Sequence, residues 1–124
     1  LPHIAGAYAM ARIEPEHNIA FWATEASMGP EPALALRDAI AAGDWARAKA
    51  IDTDIGHTMQ TFFPPGGMAE FASYNIQLEK IRFDEAGYCT AGPIRPPYHV
   101  IPDTIDQGAR ECGRRWKALR AKYG

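Results

Sequence analysis

Trp22 lies near the end of the run Asn18-Ile19-Ala20-Phe21-Trp22-Ala23-Thr24, just ahead of the small-residue turn Glu25-Ala26-Ser27-Met28-Gly29-Pro30. The run has the length and the Ile, Phe, Trp and Thr content of a short strand. At the C-terminal end of a strand, where α/β folds build their binding faces, a tryptophan supplies a flat wall for a planar or aromatic substrate. By spacing alone it is equally a core aromatic. Asn75 and Gln77 interrupt the apolar stretch Tyr74-Asn75-Ile76-Gln77-Leu78. Two amides there can hydrogen-bond a ligand or satisfy neighbouring backbone, and their spacing does not choose.

Other reactive side chains carry less. Asp52, Asp54 and His57 sit close together, but the two aspartates point to different faces of a helix whose apolar stripe already claims Ile51 and Ile55. They read as a solvated polar face, and no metal is expected. Cys89 and Cys112 show no CxxC spacing, and Cys112 falls on an apolar helix face as a packed thiol. A Schiff-base lysine must be desolvated to lose its proton near neutral pH. Lys49, Lys80, Lys117 and Lys122 all lie in charged helical stretches and none at a strand end, so none is expected to be a nucleophile. The cluster Arg110, Arg114, Arg115, Lys117, Arg120 and Lys122 makes the last helix basic; with no aromatic residues interleaved on that face, it reads as a solvated surface.

The elements that must position these residues are mostly helical. Ala5–Ile13 reads as a short helix stopped at Glu14-Pro15. After the single strand Ile19–Thr24, a helix over Glu31–Ala42 closes at Gly43, and Asp44 caps the next. That helix carries Trp45, Ala48, Ile51, Ile55, Met59 and Phe62 on one face. Pro64-Pro65-Gly66-Gly67 breaks the chain. A helix from Met68 to Ala86 follows, with Phe71, Tyr74, Asn75, Leu78, Ile81 and Arg82 near one face. Tyr88–Pro102, with four prolines, is an extended strap. Asp103 is expected to cap the last helix, whose stripe is Ile105, Ala109, Cys112, Trp116, Leu119 and Tyr123.

Composition bounds the answer. The 124 residues suffice for one domain, and 47% hydrophobic against 23% charged excludes a disordered tail. Thirteen basic against fifteen acidic residues, a formal charge of −2, give no electrostatic case for nucleic-acid or membrane-surface binding. No apolar run approaches the roughly 20 residues of a membrane span. Two cysteines point to a reducing, cytoplasmic setting. The 22 alanines suggest helices packing closely against something. The chain begins Leu1-Pro2-His3 rather than with Met, and one strand cannot make a sheet; a terminus made by processing and a truncated sequence both fit.

These features together resemble a known family. FWATEASMGPEPALALRDAIAAGDWARAKAI, YNIQLEKIRFDEAGYCTAGPIRPPY and the last amphipathic helix are similar to the C-terminal part of the hydratase-aldolases. Those are pyruvate-dependent class I lyases of the superfamily typified by dihydrodipicolinate synthase and N-acetylneuraminate lyase. The resemblance covers about residues 5–123. It implies an α/β protein: the C-terminal piece of a (β/α)8 TIM barrel plus a helical extension, this piece itself mostly α-helical with one strand. Residues 1–43 would end the barrel and residues 44–124 would form a three-helix extension.

The family's imine-forming lysine and proton-shuttling tyrosine would precede Leu1, so no catalytic residue is expected in this chain, and the piece alone is expected to be inactive. What carries over is a wall of the site, with Trp22, Asn75 and Gln77 as contacts for the aryl end of a substituted pyruvate. The resemblance implies no cofactor, pyruvate and an aromatic aldehyde as small-molecule partners, and a homo-oligomer, often a tetramer. Two alternatives remain open to these residues. One is a relative of dihydrodipicolinate-synthase or sugar-acid lyase type. The other is a non-enzymatic helical module docking through its basic last helix or the strap Gly92–Pro102.

Overall fold

A computed structural model describes all 124 residues. Five helices make up the fold: α1 (Ile4–Ile13), α2 (Glu31–Ala41), α3 (Trp45–Met59), α4 (Gly67–Ala86) and α5 (Asp103–Tyr123), with a short 3-10 helix at Thr24–Met28 between α1 and α2. The punctuation follows local chemistry. Asn18 donates from its side chain to the carbonyls of Met10 and Glu14, covering the open end of α1. Gly43 takes a φ of 67°, and Asp44 Oδ1 then accepts from the Arg47 N–H to start α3.

The strand expected over Ile19–Thr24 does not form. A single parallel bridge joins Trp22 to His3: Ile4 N–H donates to Trp22 O at 2.8 Å and Trp22 N–H to Pro2 O at 3.1 Å. The cause is the shortage of neighbours. A ladder extends only where both backbones run on, and the partner turns into α1 at Ile4 while Thr24 already begins the 3-10 helix. Ile19 is left 82% exposed. The chain is therefore mostly helical with no strand. A second, smaller correction concerns Asp103: it is the first residue of α5, Pro102 precedes it, and no side chain caps that end.

α5 is the spine. Its Trp116 and Leu119 pack into a cluster with Ile4, Met28, Leu36, Ile51 and Ile55. Its Ile105, Ala109 and Cys112 pack into a second with Phe62, Leu78 and Ile81. The stripe read from sequence is buried from Ile105 to Leu119 and half-buried at Tyr123, and one helix of about 31 Å serves both cores. Trp116 is fully buried and its Nε1–H donates to Gly29 O at 3.0 Å, so its one polar atom is satisfied. Gly29 is irreplaceable here: its φ is 116°, and a side chain would collide with Arg120.

The basic residues of α5 are largely fastened rather than free. Arg110 and Arg114 both bridge to Glu85 of α4, Arg115 to Glu111 and the His57 carbonyl, and Lys122 to Asp54.

A candidate substrate-binding cleft

The largest cleft, about 510 Å³, opens where the Trp22 bridge faces α4. Trp22, His3, Thr24 and Glu25 form one side. Met59, Phe62 and Phe63 come from the end of α3 and the turn after it. Met68, Phe71, Asn75, Glu79 and Arg82 step along a single face of α4, every third or fourth residue, because that is the helical repeat. Phe62, Phe63 and Phe71 stack as a triad with ring centroids 5.1–5.4 Å apart. Trp22, Phe63 and Met68 each leave 45–66% of their surface uncovered. Large apolar side chains so exposed in one concavity suit a flat, mostly apolar ligand.

Beneath these walls runs a buried polar chain. Arg82, 1% exposed, bonds Glu79 Oε2 through Nε at 2.9 Å and Nη2 at 2.7 Å. It reaches Thr24 Oγ1 at 2.9 Å and Glu25 Oε1 at 3.3 Å, and its guanidinium lies 4.0 Å over the Phe62 ring. Glu25, wholly buried, also contacts His3 Nε2 through Oε2 at 3.1 Å. Burial works against the charge of Arg82, but Glu79 and Glu25 outweigh it and hold its pKa above the usual value. Burial dominates at Glu79, which is pushed above the ordinary carboxylate range despite Arg82.

Of the residues singled out in sequence, Trp22 and Asn75 meet in this cleft. Gln77 does not line it. Gln77 is 3% exposed, and its Nε2 donates at 3.3 Å to Val100 O, so its amide faces the strap. The helical repeat accounts for this: two residues from Asn75 is half a turn away. Three residues were not singled out for the site. Arg82 had been read on an apolar helix face, an unusual place for a guanidinium and the available signal; Glu25 and His3 gave none. No lysine lines the cleft: Lys49 pairs with Asp52 and Lys80 donates to Pro93 O. Cys112 is buried and its thiol is pushed up to about 11, chiefly by desolvation. The cleft as it stands can bind and orient a ligand, and neither a lysine nor a cysteine lines it.

No protein-family model matches the chain. Individual proteins do. The chain is 49% identical, over 99% of its length, to a trans-O-hydroxybenzylidenepyruvate hydratase-aldolase of Pseudomonas aeruginosa. It is 42% identical, over 84% of its length, to a trans-2'-carboxybenzalpyruvate hydratase-aldolase of Nocardioides sp. (strain KP7). Among solved structures, PhdJ bound to substrate intermediate superposes on the whole chain with a TM-score of 0.95 at 37% identity. The chain is thus similar in sequence to hydratase-aldolases and in fold to PhdJ. It spans about 38% of the Pseudomonas relative and of PhdJ.

Proposed function

We propose that the protein to which this chain belongs is a Schiff-base lyase that converts a substituted benzylidenepyruvate and water to an aromatic aldehyde and pyruvate. In this scheme residues 1–43 end a (β/α)8 barrel, residues 44–124 are its helical extension, and the enzyme is a cytoplasmic homo-oligomer, a tetramer as is common in the superfamily. A lysine outside these residues forms an imine with the keto carbon of the pyruvyl group. The protonated imine accepts electrons, so water adds across the conjugated double bond and the adjacent C–C bond then breaks.

This chain supplies the binding of the aryl end. Trp22 stacks against the ring, Asn75 hydrogen-bonds a polar group at its edge, and Phe63, Phe71 and Met68 keep water away. The single observation that carries this is the half-uncovered Trp22 indole facing Asn75 across an aromatic-lined cleft. The 49% identity to a hydratase-aldolase favours it over a sugar-acid lyase or an interaction module.

Two measurements test it. Full-length enzyme treated with pyruvate and borohydride gains the mass of a reduced adduct; no gain removes the imine. Trp22→Ala raises KM for aryl-substituted pyruvates far more than for a small aliphatic analogue. Equal loss on both argues for a relative that does not recognise aryl groups.

A further inference from the structure

His3 is the residue that touches Trp22 and also reaches the buried charges. Its ring meets the Trp22 indole edge-on, with centroids 4.5 Å apart and planes at 67°. Its Nδ1 accepts from the Ala5 N–H at 3.3 Å, where it caps α1. That leaves the proton on Nε2, which points at Glu25 Oε2 3.1 Å away. Glu25 in turn is fixed by Arg82 of α4. Both ends of the imidazole are therefore tied, and the ring has one orientation. The neighbouring backbone holds Trp22 on the same side, through the hydrogen bonds from Ile4 N–H and to Pro2 O.

We propose that His3 is a positioning residue for substrate selection: it sets the plane of the Trp22 indole against which the aryl group stacks, and Arg82 sets His3 through Glu25. This rests on the function proposed above and deepens it. The imidazole edge, its centroid 4.5 Å from that of the indole, restrains the tilt of Trp22. Because Arg82 lies on the same face of α4 as Asn75, the stacking wall and the amide opposite are held in one frame.

The test uses full-length enzyme carrying His3→Asn or His3→Gln, with Trp22→Ala alongside. Asn keeps a short acceptor for the α1 cap and loses Glu25; Gln keeps a donor long enough for Glu25 and loses the cap. For an aryl-substituted pyruvate, His3→Asn raises KM by about fivefold, as expected for a lost edge-to-face contact, with kcat little changed. KM for a small aliphatic analogue stays at the wild-type value. His3→Gln, which keeps a donor for Glu25 but has no ring, raises the aryl KM as much as His3→Asn does.

If Trp22→Ala shows the aryl preference and His3→Asn keeps wild-type constants on both substrates, the positioning role is wrong and the proposed function survives. Equal loss on both substrates, or failure of the His3 variants to accumulate as folded protein, makes His3 a residue of the fold and overturns the proposal. If Trp22→Ala itself shows no aryl preference, the function fails, and His3 has nothing to position.

Discussion

Arg82 of α4 and Glu25 of the 3-10 turn pair at 3.3 Å with side chains 1% and 0% exposed, 57 residues apart in sequence. A fully desolvated pair of this kind contributes little net stability while intact, because both ions have left water. Breaking it is another matter. Arg82→Met leaves Glu25 and Glu79 without their counter-charge and costs about 3–5 kcal/mol in urea unfolding of the full-length protein. Arg82→Lys recovers only part of that, since one ammonium cannot reach Glu79, Glu25 and Thr24 together.

The two cysteines separate cleanly by reactivity. Cys112 is buried with its thiol raised to about 11, so native protein at pH 8 is labelled by iodoacetamide at Cys89 and not at Cys112. Peptide mapping of native and denatured samples reads this directly. Equal labelling of both thiols in the native protein would mean that the α4–α5 core opens.

Two glycines are expected to respond in opposite senses. At Gly113 an added Cβ would lie 2.6 Å from the Arg82 carbonyl oxygen and 2.9 Å from Glu85 Cβ. Gly113→Ala therefore prises α5 from α4 and costs about 1–3 kcal/mol. Gly56 in α3 has nothing within 4 Å, and Gly56→Ala stabilises by about 0.5–1 kcal/mol through the helix it lies in. Thermal unfolding of the two variants gives both signs.

Asp54 ties down the C-terminal turn of α5, its Oδ2 accepting from Lys122 Nζ and Tyr123 OH at 2.6 Å each. The Lys122 and Tyr123 hydrogen bonds hold its carboxyl below the ordinary value of 3.8. A carboxylate with a lowered folded pKa stabilises above the unfolded value, and that stabilisation is lost as pH falls through the folded one. Asp54→Asn accordingly speeds amide exchange in the last turn of α5 at neutral pH. The difference from wild type shrinks below pH 3.8 and vanishes once the wild-type carboxyl is protonated.

Helices were legible in the sequence where the apolar spacing was regular. The stripes of α3 and α5 were read residue by residue, because a 3.6-residue period writes a buried face directly into composition. The Ile19–Thr24 run misled, since strand-like composition says nothing of whether a neighbour is present to accept its hydrogen bonds. In the site, Trp22 and Asn75 were visible as chemistry at odd places, and the cleft brings them together. Gln77 shared the signal but not the face. His3, Glu25 and Arg82 escaped because their link is a tertiary one, joining three elements that the sequence keeps apart.

The guanidinium that fastens α4 to the turn after Trp22 makes the two halves of this chain a matched set. A chimera that exchanges Gly67–Gly124 keeps this buried pair only where an acidic residue stands at the position of Glu25 and an arginine at that of Arg82. Splicing at the Pro64-Pro65 break without that partner strands one ion in the seam.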